Sequence, residues 1–323
     1  MEYRRLGSAG MRVSAISLGA WLTYGSSDVE TETAKQCLRT AIEHGINFID
    51  VADIYARGEA EKVVGQVLKD YERSDLVIST KAFWPMSDNV NNRGLSRKHI
   101  IESVEKSLKR FDTDYIDIFF CHRYDEETPM EETVRTINDL MQQGKILYWG
   151  TSMWSPAAIN QAVDMARAIN GYKPVTEQPE YNMLQRDYAE GEMEYVCQQN
   201  GIGLVVWSPL AQGVLTGKYN QGVPDDSYRA QAGWLDRYLA PDNLEKVRQL
   251  TALAQEMGTT MAALALAWAM KNPVISSVIT GASKPEQVTA NLKALDVHIT
   301  DDINERIETI LDNRPHFSRR NGR

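Results

Sequence analysis

Two patterns of hydrophobic and polar positions alternate along this chain. Short apolar runs, typical of buried strands, are each followed by a longer segment with apolar residues at helical spacing. Ser96 and Gly45 are suitable residues for a helix start and a helix end, and Pro156 suits a first helical position. The strands predicted are 14–19, 46–50, 75–80, 115–120, 146–152, 174–178, 203–209 and 276–281. The helices predicted are 32–45, 58–71, 96–111, 130–144, 155–169, 190–201, 242–257, 260–271 and 284–295.

Regular alternation of strands and helices favours a parallel sheet. Eight such units in 323 residues fit an α/β fold of the (β/α)8 TIM barrel class, as one domain over residues 1–323. Residues 1–14 are predicted to form an N-terminal β-hairpin that caps the barrel floor, and residues 313–323 a flexible tail. A doubly wound sheet is the rival, but its glycine fingerprint after the first strand is missing from "GAWLTYG". The irregular segment 211–234 is long enough to predict a functional loop.

The charge, the cysteines and the apolar segments of the chain argue against several classes of function. The net charge of −9 argues against nucleic-acid binding, which favours a basic surface. The three cysteines form no C-x-x-C pair, so we expect reduced thiols and a cytoplasmic protein. The N-terminus has no apolar signal segment, and no apolar run is long enough to predict membrane insertion.

Polar residues follow the predicted strands on the side where (β/α)8 barrels carry their chemistry. Asp50 ends the second barrel strand, Lys81 the third and His122 the fourth, while Tyr55 lies in the loop after Asp50. Taken singly, each has an ordinary interpretation: a helix cap, a lysine at the barrel rim, a structural histidine and a loop tyrosine. Their occurrence on consecutive strands favours one catalytic site.

A lysine after a buried run needs an anionic partner, and Asp50 is the obvious one. Asp53 is a competing partner, but its offset from the strand predicts that it faces solvent. The charge of Lys81 is expected to lower the pKa of Tyr55 from about 10 toward neutrality. Tyr55 would then donate a proton to a developing alkoxide, and His122 would hydrogen-bond the same oxygen.

Seven segments in order resemble the aldo-keto reductase superfamily: "FIDVADIY", "VISTKAFW", "RGLSRKHIIESVEKSLKRF", "PMEETV", "YWGTSMWS", "VWSPLAQGVLTGKY" and "GASKPEQVTAN". Within it, the chain is similar to the branch that contains the β subunits of voltage-gated potassium channels and their bacterial relatives. The resemblance runs from "RRLG" to about residue 312. It implies NADPH-dependent reduction of aldehydes or ketones without a metal. The catalytic tetrad would be Asp50, Tyr55, Lys81 and His122, with Tyr55 as the proton donor.

The resemblance leaves a second function open, an NADP(H)-sensing cytoplasmic subunit of a potassium channel. Channel β subunits carry asparagine at the position of His122, so the histidine favours an enzyme. Relatives in this branch imply a homo-oligomer, a tetramer or larger. A metal-dependent barrel hydrolase is disfavoured, because the five histidines include no H-x-H pair.

The resemblance also implies how NADPH or NADP+ would bind. Ser152, beside Thr151, and Gln178 would hold the nicotinamide carboxamide, and Trp207 would stack beneath the ring. The set is completed by residues along the remaining cofactor: Gly19, Trp21, Asp50, Ser208, Pro209, Leu210, Ala211, Gln212, Gly213, Lys218, Arg229, Gly281, Ser283, Lys284, Gln287 and Asn291.

Residues 281–287 within that set are assigned to the 2′-phosphate, although a helix simply capped by Ser283 would explain them too. Met153 and Ala290 depart from the branch, where arginine and an acidic residue are usual, so use of NADH stays open.

Aromatic side chains after the strand ends predict an apolar substrate pocket with one polar corner. Such a pocket suits small aldehydes, α-dicarbonyls or quinone-like compounds. Trp84 could instead pack under a loop. The predicted substrate residues are Trp21, Tyr24, Tyr55, Trp84, His122 and Tyr124.

Overall fold

The computed structural model describes residues 1–21, 29–222, 233 and 235–315. Eight parallel strands of the described part form a closed barrel in chain order, and the last strand, Ile275–Thr280, closes it by pairing with both Ile16–Gly19 and Gly203–Val206. The predicted (β/α)8 barrel is confirmed. The strands are β1 (Tyr3–Arg5), β2 (Arg12–Ser14), β3 (Ile16–Gly19), β4 (Phe48–Asp50), β5 (Val77–Ala82), β6 (Ile116–Cys121), β7 (Ile146–Thr151), β8 (Thr176–Glu177), β9 (Gly203–Val206) and β10 (Ile275–Thr280).

Helices follow the barrel strands and cover its outside, as the helical spacing predicts. Two of them begin at serine N-caps: Ser96 accepts a hydrogen bond from the backbone N–H of His99, and Ser155 accepts one from the backbone N–H of Ala158. Those described are α1 (Thr31–Glu43), α2 (Glu59–Leu68), α3 (Arg97–Phe111), α4 (Met130–Gln142), α5 (Pro156–Ala168), α6 (Glu192–Asn200), α7 (Pro241–Glu256), α8 (Met261–Lys271), α9 (Pro285–Leu292) and α10 (Asp301–Leu311).

Helix α10 was not predicted from the sequence. Its segment is rich in charged residues, but Ile303, Ile307, Ile310 and Leu311 have helical spacing, and Ile307 and Leu311 are buried. The helix begins at Thr300, whose hydroxyl accepts a hydrogen bond from the backbone N–H of Ile303. Glu308 forms an ion pair of 2.8 Å with Arg186, which lies in the segment between β8 and α6. The sequence therefore carried both a helix start and an apolar stripe from which this helix could have been predicted.

The N-terminal hairpin closes the barrel floor, as predicted. Strands β1 and β2 pair in antiparallel fashion, and Leu6 and Val13 are fully buried against side chains that begin barrel strands, such as Phe48. Gly7 permits this close approach: its φ is +56°, and a Cβ there would lie 2.4 Å from the carbonyl oxygen of Gly201. The floor is thereby filled, and the opposite end, where the strands terminate, is left for chemistry.

The main apolar core lies between the barrel and its helices, and it contains the three free cysteines Cys37, Cys121 and Cys197. Asn313, at the start of the predicted tail, donates a hydrogen bond of 2.8 Å to the carbonyl of Met183. The rest of that tail, from residue 316, lies outside the described residues.

Among the described residues, no helix is both long enough and apolar enough to cross a membrane.

Candidate active site

A buried ion pair lies at the carboxyl ends of β4 and β5. Lys81 donates hydrogen bonds of 2.6 Å to Oδ2 of Asp50 and to the backbone carbonyl of Val51. The other carboxylate oxygen of Asp50 accepts from Ser79 at 2.6 Å and from Gln178 at 3.0 Å. Both charges are thus fully engaged, which is the condition for keeping them inside a protein. Asp50, and not Asp53, is the partner of the lysine.

Tyr55 stands beside this pair in a tightly turned segment. The segment Tyr55–Gly58 forms a 3-10 turn in which Ala56, Arg57 and Gly58 have φ angles of +47°, +53° and +92°. Left-handed backbone is costly for residues with a Cβ, so the surroundings must hold this turn in place. Nζ of Lys81 lies 5.1 Å from the centre of the Tyr55 ring. The predicted neighbours Lys81 and Tyr55 are therefore brought together.

Asp53 corrects the sequence interpretation, because it is 1% exposed and does not face solvent. Its Oδ2 accepts a hydrogen bond of 2.7 Å from Ser103 of α3, whereas Oδ1 has no partner in the described structure. Burial raises the pKa of this carboxyl from 3.8 to about 7, with Glu61 adding to the rise. Glu61 is itself buried and is bonded to Arg110 and Thr80. This network ties the turn after β4 to α2 and α3.

The pKa of Tyr55 is raised, whereas the sequence predicts that Lys81 lowers it toward neutrality. Burial raises it well above the ordinary 10, the carboxylates of Asp50 and Asp53 add to the rise, and the charge of Arg123 opposes it. The ammonium of Lys81 is paired with Asp50 and does not offset these effects. Tyr55 is accordingly a neutral phenol at neutral pH, with its proton in place to be donated.

His122 follows β6 and faces the tyrosine. The two rings meet edge to face with centres 6.0 Å apart, and Trp84 meets the imidazole in the same way at 6.2 Å. Burial lowers the pKa of His122 well below 6.5, and the charges of Lys81 and Arg123 lower it further. The imidazole is therefore neutral. Its Nδ1 is buried and has no hydrogen-bond partner among the described residues.

Arg123, next along the chain, belongs to the site although sequence reasoning missed it. Its Nη1 donates to the backbone carbonyl of His122 at 2.5 Å and to Oγ of Ser152 at 3.3 Å. Its guanidinium carbon lies 5.6 Å from the centre of the Trp84 ring. The available signal was its position immediately after His122 at a strand end.

The residues predicted for the nicotinamide are joined to the ion pair. Ser152 donates a hydrogen bond of 2.9 Å to the backbone carbonyl of Gln178, and the side chain of Gln178 reaches Asp50. Both side chains are buried, as is Thr151. Trp207 follows β9 and packs half-buried against the barrel interior. The residues predicted to contact the nicotinamide are therefore continuous with the Asp50–Lys81 ion pair.

The loop after β9 has a shape that fits a diphosphate. Ser208, Ala211, Gln212 and Gly213 all adopt left-handed φ, between +47° and +95°, and such turns form anion-binding concavities. A Cβ on Gly213 would lie 3.1 Å from Nζ of Lys218, so the glycine leaves room for that amine. Lys218 forms no ion pair with any described residue. These features suit a phosphate-bearing cofactor; Pro209 is buried within the same loop.

The remaining predicted cofactor residues lie at the ends of β3 and β10. A Cβ on Gly19 would meet Ile279 at 2.6 Å, whereas one on Gly281 would meet nothing within 4 Å. The alternative cap at Ser283 does not form: Lys284 is the residue that precedes α9, without a side-chain cap hydrogen bond, and Ser283 donates from its backbone N–H to Oε1 of Gln287 at 2.8 Å. Lys284 and Gln287 are exposed there, and Asn291 is buried near the end of the helix.

The aromatic residues predicted for the substrate pocket differ in their surroundings. Trp84 is 38% exposed beside His122, which excludes full packing under a loop, and Tyr124 packs edge to face on Trp154. Trp21 is 43% exposed at the end of the segment after β3. Tyr24, and Arg229 of the cofactor set, lie outside the described residues.

Comparison with known proteins agrees with this geometry. The model of the aldo/keto reductase family matches residues 15–312. The chain belongs to the aldo/keto reductase family. Members of this family generally use NAD(P)H, which accords with the loop after β9.

Three relatives extend the similarity over almost the whole chain. A probable voltage-gated potassium channel subunit beta of Arabidopsis thaliana is 46% identical, and one of Oryza sativa subsp. japonica is 45% identical, each with 98% of both chains covered. A putative voltage-gated potassium channel subunit beta of Schizosaccharomyces pombe is 44% identical over 98% of this chain and 94% of its own. This aldo/keto reductase therefore resembles the branch that the sequence motifs indicate.

Proposed function

We propose that this aldo/keto reductase reduces aldehydes or ketones to alcohols with NADPH, and that Tyr55 donates the proton. The observation that supports this most is the buried Asp50–Lys81 pair beside the Tyr55 ring, with His122 edge-on to the same ring. NADPH, when bound, supplies the hydride.

The chain's own groups would act on the carbonyl oxygen. The neutral phenol of Tyr55 donates its proton as negative charge develops on that oxygen. Asp50 and Val51 hold the ammonium of Lys81 in place beside the ring, where it would face the phenolate left behind. The neutral imidazole of His122 orients the same oxygen by a hydrogen bond, and its low pKa keeps it uncharged as it does so.

The cofactor would be held by groups that follow four strands, β7 to β10. Ser152 and Gln178 suit the carboxamide, the loop 208–213 with Lys218 suits the diphosphate, and Ser283, Lys284 and Gln287 suit the 2′-phosphate. The last group favours NADPH over NADH. With its three buried free thiols, such a reductase would act in the reducing cytoplasm.

The decisive experiment measures oxidation of NADPH by the purified protein with 4-nitrobenzaldehyde, methylglyoxal and a quinone. We expect turnover with at least one of them, and tighter binding of NADPH than of NADH by fluorescence titration. No turnover across this panel, with NADPH bound, would overturn the reductase proposal.

A second function is favoured by one finding, the similarity to proteins named potassium channel β subunits along their full length. In that role the chain would be a homo-oligomer, a tetramer or larger, and would bind a channel's cytoplasmic domain. Light scattering of the pure protein tests the oligomer. Gel filtration with a recombinant channel tetramerisation domain tests the partner, and separate elution of the two would refute it.

A further inference from the structure

Arg123 is a cation at the mouth of the site for which the proposed reaction has no use. It lies one residue after His122, and its guanidinium rests against Trp84, which is itself in contact with the His122 ring. Its charge also acts on Tyr55 and on His122. The guanidinium therefore sits beside the groups that would handle the carbonyl, and not on a remote surface.

Arg123 lacks an anionic partner in the described part of the chain. Its side-chain hydrogen bonds go to a backbone carbonyl and a serine hydroxyl, both from Nη1. Glu177 and Glu180, the carboxylates whose charges act on Arg123, form no ion pair with it. Glu180 is bonded to Arg237 and Tyr238, and Glu177 to Thr151, Tyr188 and the backbone of Trp154.

This arrangement leaves a partly desolvated charge without compensation. Burial lowers the pKa of Arg123, which reports the cost of removing the guanidinium from water. Buried cations elsewhere in the described structure are compensated: Lys81 has Asp50, and Arg186 has both Glu190 and Glu308. A guanidinium with unused donors and no anionic partner can bind the anionic group of a ligand.

We propose that Arg123 is a specificity-determining residue that binds the carboxylate of an anionic carbonyl substrate, an aldehyde or ketone that carries a carboxylate group. The inference rests on the proposed reductase function and extends it to a substrate class. The apolar face of Trp84 would contact the body of the substrate while its carboxylate pairs with the guanidinium. His122 and Tyr55 would meet the carbonyl at the other end.

The test compares 4-carboxybenzaldehyde with 4-nitrobenzaldehyde, whose planar para substituents are similar in shape but differ in charge. We expect the wild type to have the lower KM for the carboxylate. A charged hydrogen bond contributes about 1.5–3 kcal/mol, so Arg123→Gln should raise that KM about 10- to 100-fold. Its KM for the nitro compound should rise much less, so that the ratio of the two KM values shifts about 10-fold or more against the carboxylate, and Arg123→Lys should restore part of the preference.

Controls separate the possible outcomes. Arg167→Gln, which removes an exposed arginine of α5, should leave both KM values unchanged. The carboxylate site at Arg123 is overturned if the wild type shows no preference for the carboxylate, or if Arg123→Gln keeps that preference. Turnover of either aldehyde still supports the reductase function. Weaker NADPH binding in Arg123→Gln, with the preference unchanged, assigns the arginine to the cofactor and also overturns the carboxylate site.

A binding measurement keeps the inference testable even if no aldehyde is turned over. Calorimetry on the NADP+-loaded protein would compare 4-(hydroxymethyl)benzoate with neutral 4-nitrobenzyl alcohol. Tighter binding of the carboxylate that disappears in Arg123→Gln supports the anion site, even where the reductase proposal has failed. Equal binding of the two ligands to the wild type overturns it.

Discussion

Nζ of Lys81 lies 2.6 Å from Oδ2 of Asp50, and both side chains are buried. Each charge is the main compensation for the other, so loss of one leaves an unpaired ion inside the barrel. Removing one partner of such a pair typically costs about 3–5 kcal/mol. The pair therefore bears on stability and on the chemistry of Tyr55 at once.

Lys81→Met tests the stability side. We expect the free energy of unfolding to fall by about 3 kcal/mol, because Asp50 becomes an unpaired buried carboxylate. The double variant Asp50→Asn/Lys81→Met should recover most of this loss in urea denaturation, and both variants should lose reductase activity. A single variant as stable as the wild type would show that the lysine is not needed to compensate the acid.

Tyr55→Phe tests the proton donor. The ring and its contacts with Lys81 and His122 are retained, so only the transferable proton is lost. Turnover of an accepted aldehyde should drop about 10²- to 10⁴-fold, with the Kd for NADPH unchanged. Tyr172→Phe, on an exposed side chain, is the matched control. Appreciable remaining turnover in Tyr55→Phe would reject Tyr55 as the donor.

The pH profile of kcat distinguishes the raised pKa of Tyr55 from the lowered one expected from sequence. The donor must be protonated, and the pKa of Tyr55 lies well above 10, so activity is not lost to its ionisation below that pH. The pKa of His122 lies well below 6.5, so the imidazole stays neutral above that pH. We expect a flat profile between pH 6.5 and 10 with a stable substrate. An alkaline limb near neutrality that moves in Lys81→Met would favour the lowered pKa.

Asp53→Asn tests the buried carboxyl behind the tyrosine turn. The folded pKa of about 7 exceeds the ordinary 3.8, so the native state keeps a proton that the unfolded state has released. Its contribution to stability therefore falls as pH rises through this window. Asparagine does not titrate, so the free energy of unfolding of the variant, relative to that of the wild type, should rise by a few kcal/mol between about pH 5 and pH 8. Thermal melting at both pH values measures this, and a constant difference in Tm would contradict it.

Gly7→Ala tests the floor. The new Cβ would lie 2.4 Å from the Gly201 carbonyl and 2.6 Å from the Gly203 nitrogen, at a φ of +56°. We expect a loss of about 2–3 kcal/mol in the free energy of unfolding. Gly10→Ala in the same hairpin meets nothing within 4 Å and should change stability by less than about 0.5 kcal/mol. Similar losses in both variants would mean that the effect does not come from this contact.

The order of strands and helices could be predicted from the sequence because periodicity, helix caps and glycine stops act over a few neighbouring residues. Once the barrel was predicted, strand ends were enough to bring Asp50, Lys81 and His122 to one mouth. Helix α10 was missed although its cap at Thr300 and the spacing of Ile303, Ile307 and Leu311 are local signals of the same kind.

Only the tertiary structure decided how polar side chains are buried and paired. Asp53 lies inside because Ser103 of a later helix meets it, and the pKa of Tyr55 rises because desolvation outweighs a lysine already paired with Asp50. Arg123 stands out only when Glu177 and Glu180, the described carboxylates that act on it, are seen to be engaged elsewhere. Local patterns determine where the chain bends and which face is apolar, whereas desolvation and charge pairing depend on what the folded chain brings alongside each group.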